Sequence, residues 1–192
     1  MLPLVLASSS PYRKQLLEKL QLPFISISPD IDETALLQET PQELTRRLAV
    51  LKAKAISLQF PQHLIIGSDE VASIDGQILG KPHEYTNAFK QLKASSGKKV
   101  TFYTGLALFN SMTEHLQVDT IPFHVYFREL SDNTIKRYIE IEKPYNCAGS
   151  IKAEGLGVCL FRKTEGEDIS SLMGLPLIRL VDMLAKEQVF LP

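Results

Sequence analysis

The chain has 192 residues, 44% of them hydrophobic and 22% charged, with a formal net charge of −1. That length suffices for one sizeable core, and the near-neutral balance argues against coating a nucleic acid or a membrane surface. No apolar run reaches the ~20 residues that span a bilayer, and no basic stretch followed by a hydrophobic one opens the chain. Two cysteines, Cys147 and Cys159, make no disulfide framework, and the four histidines lack metal-ligand spacing. The expectation is a cytoplasmic α/β protein organised as one domain over residues 1–192.

In chain order, the apolar run Leu2 to Ala7 predicts a buried strand. Ser8-Ser9-Ser10-Pro11 follows and opens a helix through Leu20. Ser10 can cap exposed N–H groups there, and Pro11 has none to satisfy. A strand feeding a helix N-terminus through a serine turn gathers backbone donors and the positive end of the helix dipole, which suits an anion. At about 100° per residue, Leu16, Leu17 and Leu20 form an apolar stripe. Arg13 falls in line with it and Tyr12 at its edge. An inward arginine requires an anionic ligand or an internal carboxylate, because its desolvation is otherwise uncompensated.

Phe24 to Ser28 alternates like a strand, and Pro29 to Glu39 is a loop rich in acids: Asp30, Asp32, Glu33 and Glu39. Thr40-Pro41-Gln42-Glu43 carries a capping box. The helix it opens is expected to run to about Leu58 on a stripe of Leu44, Leu48, Leu51 and Ala55, with Lys52 and Lys54 on opposite flanks. His63 to Gly67 predicts a central strand ending in Ser68-Asp69-Glu70. Val71 to Ile78 reads as a hairpin about Asp75-Gly76. Gly80-Lys81-Pro82 leads into a helix from Tyr85 to Ser95. Strands follow over Lys99 to Phe109 and Gln117 to Arg128, then a helix capped by Ser131-Asp132 and ending near Glu142. Pro144 to Gly157 is irregular, Val158 to Phe161 suggests a strand, and Gly174-Leu175-Pro176 starts a last helix striped by Leu177, Leu180, Val181 and Leu184. Early alternation of strands and helices with strands clustered in the middle favours an α/β fold with a mixed central sheet flanked by helices.

Among residues that can do chemistry, Asp69 stands at the predicted carboxyl end of a central strand, where open α/β sheets place ligands. A carboxylate there can hold Mg²⁺ or activate water; the competing reading is a turn-forming aspartate. Glu70 points to the opposite face in extended chain, so the two are not one dyad. Glu33 is a second candidate metal ligand against a background of solvated acids. Lys81, on a stiff Gly-Pro turn, suits phosphate binding, as do Lys52 and Lys152 with weaker placement. GxxxxGK[ST], GxGxxG and GxSxG are all absent, which disfavours P-loop, Rossmann and serine-elbow chemistry.

The stretches LASSSPYRKQLLEKL, IDET, IIGSDEV, ILGKP, TFYTGLALF, NCAGSIKAEGLG and GLPLIRL, taken together and in this order, resemble the Maf family of nucleotide pyrophosphatases over nearly the whole chain. The serine-proline-aromatic-arginine start, GSD and YNCAGSIKAEG are most similar to its 7-methyl-GTP branch. The resemblance implies two lobes with a deep cleft, a homodimer, and Mg²⁺- or Mn²⁺-dependent hydrolysis of a nucleoside triphosphate to monophosphate and pyrophosphate. It makes Asp69 the base for the attacking water and a metal ligand, and gives Glu33 a share of the metal. Ser8, Arg13, Lys52 and Lys81 would contact the triphosphate, and Tyr12, Glu70 and Glu154 would set base specificity. Glu70 departs from the glutamine more usual in that branch. The dTTP/UTP branch usually carries arginine at the position of Tyr12 and threonine at that of Glu70, and this chain has neither. A non-catalytic nucleotide-binding regulator of cell division is the alternative of a different class. It has no need of a water-activating base.

Overall fold

The computed structural model describes residues 2–192. The strands are β1 (Leu4–Ala7), β2 (Phe24–Ile27), β3 (Leu64–Ile74), β4 (Gln77–Leu79), β5 (Lys99–Asn110), β6 (His115–Phe127) and β7 (Phe161–Glu165). The helices are α1 (Pro11–Glu18), α2 (Pro41–Ala55), α3 (Tyr85–Ser95), α4 (Asp132–Glu142) and α5 (Leu177–Lys186). All seven strands belong to one mixed sheet in the order β2-β1-β3-β5-β6-β7, with β4 paired to β3. The chain divides into two compact units: Met1–Asp69, Thr104–Ile121 and Asp168–Pro192 form the first, and Glu70–Tyr103 with Pro122–Glu167 form the second.

In the first unit β1 runs parallel to both β2 and β3, pairing Leu4 to Ala7 with Leu64 to Gly67. Side chains alternate between two apolar layers. Leu4, Leu6, Leu64 and Ile66 meet Leu16 and Leu17 of α1 and Leu180, Met183 and Leu184 of α5. Val5, Ala7 and Ile65 meet Ala49, Ala53 and Ile56 on and just after α2. A strand buried on both faces has no polar side to show, which is why β1 reads as an unbroken apolar run.

The seat of α2 is set by two glycines. A Cβ on Gly67 would lie 2.1 Å from the carbonyl oxygen of Ala49, and one on Gly105 would lie 2.1 Å from that of Thr45. Backbone therefore lies on backbone. This corrects the stripe expected from the leucines of α2. The buried face is Pro41, Leu44, Thr45, Leu48, Ala49, Lys52 and Ala53, while Leu51 is 39% exposed. Leu44 and Leu48 are buried as expected, but small residues fill the narrow gap at Thr45, Ala49 and Ala53 and Leu51 turns outward, so Lys52 lies on the buried face and not on a flank. The Thr40–Glu43 capping box forms as expected, with the Glu43 N–H donating to Thr40 Oγ1 and the Thr40 N–H to Glu43 Oε2.

Other boundaries also differ from the sequence expectation, among them the end of α2, at Ala55 and not about Leu58. β3 does not stop at Gly67 but continues through Ser68, Asp69 and Glu70 to Ile74, because β4 takes over as its antiparallel partner over Ala72 to Ile74. The hairpin turn between them holds Asp75 and Gly76 at φ +50° and +82°. Residues 156–160 are 3-10 rather than strand, β7 starting at Phe161, and a further 3-10 segment, Ile169–Met173, precedes α5. α1 ends at Glu18, two residues before the expected Leu20.

The second unit has its own buried layer, with Leu92, Phe102, Phe127 and Ile135 all below 2% exposed. α3 and α4 occupy the bounds read from the sequence, and Ser131 Oγ accepts the Thr134 N–H at the start of α4.

Candidate active site

Ile65, Gly67 and Asp69 share one face of β3, the face that carries α2. Asp69 is thus mid-strand in β3, yet two residues beyond the last β1 pairing, Ala7 with Gly67. It keeps the place at the carboxyl end of the parallel strands that the sequence reading gave it. Because α2 lies so close, Lys52 reaches Asp69 along the sheet. Its Nζ donates to Asp69 Oδ1 at 2.6 Å and lies 2.8 Å from Glu33 Oε1. The Lys52 and Asp69 side chains are 6% and 9% exposed, and Glu33 is 52% exposed. One ammonium with its stem buried therefore bridges two carboxylates, one buried and one at the solvent edge.

Glu33 is brought there by a residue that the sequence reading did not single out. Arg47 donates from Nε to Glu39 Oε1 at 2.6 Å, and from Nη2 to Glu39 Oε2 at 2.7 Å and to the Thr34 carbonyl at 3.0 Å. Glu39 Oε2 also accepts the Leu36 N–H. The acidic segment is so tied to α2 on both sides of its bend, next to Glu33. The Arg47 hydrogen bonds hold the Glu39 carboxyl below the ordinary glutamate value of 4.5. A depressed folded value means that the clamp stabilises the segment above that ordinary value and is lost as pH falls through the folded one. Arg47→Ala is accordingly expected to open residues 30–39 to limited proteolysis at neutral pH, whereas the wild-type segment becomes sensitive only well into acid.

The serine turn forms as a capped helix start. Ser10 Oγ accepts the Arg13 N–H at 3.4 Å, and the buried Ser8 Oγ accepts the Ser10 N–H at 3.1 Å. Arg13 settles the alternatives left by its inward position in a third way. Its Nε donates to the carbonyl of Gly174 at 2.8 Å, and Ser68 Oγ lies 2.8 Å from the same oxygen. Gly174 adopts φ +88°, a left-handed conformation open to glycine, which closes the Ile169–Met173 turn. Tyr12, half-buried, precedes Arg13 on the first turn of α1.

In the second unit burial pushes the Cys147 thiol up to about 11, and the charges of Glu154 and Glu70 add to that rise. The glycine-bearing segment is pinned from α4 by two residues one turn apart. Tyr138 Oη accepts the Lys152 N–H at 2.9 Å and donates to the Ser150 carbonyl at 3.2 Å. Glu142 accepts the Leu156 N–H at 2.7 Å and pairs with Lys152 Nζ at 2.9 Å. Burial raises the Tyr138 phenol far above its ordinary value, so it stays a donor at any working pH. A Cβ on Gly155 would meet Glu142 Oε1 at 2.5 Å, so that glycine lets the chain close over the carboxylate. Lys152, a phosphate candidate in the sequence, is thereby paired to α4. The Gly80 carbonyl accepts the Gly149 N–H at 3.3 Å and Gln91 Nε2 at 3.0 Å. This docks the turn bearing the exposed Lys81 against the segment that carries Glu154.

Of the residues missed in sequence, Tyr138 and Glu142 were legible as an i, i+4 pair. Ser68 was also detectable, as the residue facing opposite to Asp69. Arg47 and the Gly174 carbonyl depend on contacts distant in sequence.

Among the described residues, no three His, Cys, Asp or Glu side chains converge as a metal cage. Glu33 and Asp69 form a two-carboxylate, all-oxygen set, and Mg²⁺ characteristically takes one or two carboxylates and completes its shell with water and substrate phosphate. The residues present fit such an ion. No helix among them is long and apolar enough to cross a membrane.

Comparison with known proteins matches residues 3–187 to the family described as Maf-like protein. A 7-methyl-GTP pyrophosphatase of Pseudomonas aeruginosa is 60% identical over 189 residues, 98% of each chain. One from Pseudomonas fluorescens is 58% identical over the full length of both, and one from Colwellia psychrerythraea is 53% identical over 97% of this chain and 93% of its own.

Proposed function

The chain belongs to the Maf family, and we propose that it hydrolyses a nucleoside triphosphate at the α-phosphorus, with 7-methyl-GTP as the substrate. The observation that carries this reading is the Lys52 ammonium held between Asp69 and Glu33, since it sets a buried carboxylate able to take a proton from water next to a cation able to meet a polyphosphate.

Asp69 accepts the proton of the attacking water. A bond forms from that oxygen to the α-phosphorus, the bond to the bridging oxygen of the β-phosphate breaks, and pyrophosphate leaves. Arg13 is oriented by the Gly174 carbonyl through one of its five N–H donors, and the others serve phosphate oxygens. Ser8, Lys52 and Lys81 add donors and positive charge. Glu33 and Asp69 would hold a divalent cation, which supplies charge neutralisation for the triphosphate and the leaving pyrophosphate.

For the base, guanine offers N1–H and N2–H₂ donors side by side, and the carboxylate of Glu154 can accept both. Methylation at N7 makes the ring cationic. The carboxylates of Glu70 and Glu154 favour a cation, and an aromatic face such as Tyr12 adds about 1–2 kcal/mol when desolvated. An acid at Glu70, where glutamine is more usual in this branch, strengthens that preference.

Pyrophosphate release with Mg²⁺ across GTP, 7-methyl-GTP, dTTP and UTP tests the reading. The expected result is fastest turnover of 7-methyl-GTP, with Glu154→Gln reducing its advantage over GTP by roughly 10-fold, the equivalent of one lost charge-assisted contact. Equal rates on GTP and 7-methyl-GTP would overturn the base assignment, and no release from any triphosphate would overturn the reaction.

A further inference from the structure

We propose that Lys52 is a resident cation of the metal site, so that a divalent ion and the Lys52 ammonium compete for the same two carboxylates and the nucleotide decides between them. The inference rests on the reading of Glu33 and Asp69 as the metal ligands and goes beyond it. Lys52 Nζ lies 2.6 Å from Asp69 Oδ1 and 2.8 Å from Glu33 Oε1. These are charge-assisted contacts at full strength. A divalent cation that drew on both carboxylates would stand within contact distance of that ammonium, and two positive centres so close repel strongly in a site that is 6% exposed at Lys52 and 9% at Asp69.

The ammonium cannot simply withdraw into the protein. Its stem is on the buried face of α2, in line with Ala49 and Ala53, and the helix is fixed on Gly67 and Gly105. Movement of the charge is restricted to rotation about the side-chain torsions, away from the carboxylates and toward whatever new anion is presented. A triphosphate is such an anion. Once it engages Lys52, that ammonium no longer stands between Glu33 and Asp69, and the divalent cation becomes the favourable replacement. Metal and nucleotide then promote each other's binding, by the same factor in each direction. A two-carboxylate site guarded by its own lysine would not collect divalent ions without substrate.

The test is Mn²⁺ binding to the full chain, read by the loss of the free-ion paramagnetic resonance signal and not by activity. Wild type is expected to bind Mn²⁺ weakly alone and about 10- to 100-fold more tightly with a triphosphate analogue carrying a methylene bridge between the α- and β-phosphates. Lys52→Met keeps the length and apolar stem of the side chain. It is expected to bind Mn²⁺ tightly without nucleotide and to lose most of the nucleotide effect. Lys54→Met removes the same charge from the exposed side of the same helix and is expected to behave as wild type. Equal Mn²⁺ affinity in wild type and Lys52→Met without nucleotide, or a Lys54→Met gain as large as that of Lys52→Met, would overturn the competition. The wild-type measurement with and without the analogue needs no variant, so absence of coupling there overturns it even if Lys52→Met does not fold. Failure of the underlying metal assignment looks different: Glu33→Gln and Asp69→Asn would then leave Mn²⁺ binding in the presence of the analogue unchanged.

Discussion

Asp69→Asn is expected to lower the rate of pyrophosphate release by about 10²- to 10⁴-fold, the range a positioned general base contributes. The substitution removes the proton acceptor while preserving shape, and an asparagine oriented with its oxygen toward Lys52 can still accept from that ammonium. Lys52 also keeps Glu33 at 2.8 Å, so the buried cation is not left unpaired. Fold loss is therefore not the expected cause of inactivity, and a thermal melt run alongside checks this. Glu33→Gln provides the contrast. Glu33 is half exposed and at the edge of the set. Its loss is expected to raise the Mg²⁺ concentration needed for half-maximal rate, with much of the rate recovered at high Mg²⁺. Asp69→Asn is not recovered by any Mg²⁺ concentration. Undiminished turnover by Asp69→Asn would remove Asp69 from the role of base.

The contrast between what was and was not legible follows from the range of the interactions involved. Helix starts are local, and those at Pro11, Pro41 and Asp132 were read correctly because a cap oxygen and the N–H group that donates to it lie within three residues. β1 was legible because burial on two faces leaves only apolar residues. The end of β3 was misread at Gly67 because its continuation depends on β4 replacing β1 as partner, an exchange set by chain folding back at Asp75-Gly76. The buried face of α2 was misread for a related reason: hydrophobicity favours Leu51, whereas two glycines on neighbouring strands select alanines. This second error concealed the position of Lys52. Asp69, Glu33 and Lys52 were each nameable from sequence. That one ammonium joins the two carboxylates was not, since residue 33 lies in a loop held by Arg47 and residue 52 is placed by a helix-to-sheet distance.

That distance is the most exposed to a single methyl group. Gly67→Ala and Gly105→Ala are each expected to destabilise the protein by about 3 kcal/mol, the upper end of overpacking costs, and to lower the melting temperature by roughly 6–12 °C. In both, the added Cβ would fall 2.1 Å from a carbonyl oxygen of α2, and backbone cannot move aside as the tip of a flexible side chain can. The helix must lift or slide. Either movement shifts Lys52 relative to Asp69, which is two residues along β3 from Gly67 on the same face. Activity at a temperature where the variant is still folded should fall as well, with Mn²⁺ binding altered in parallel. Gly80→Ala is the control: a Cβ there meets nothing within 4 Å, and its backbone is not in the left-handed region, so it is expected to melt close to wild type. If Gly67→Ala melted like Gly80→Ala, α2 would not be seated on β3 by backbone contact, and the account of how Lys52 reaches the two carboxylates would fail with it.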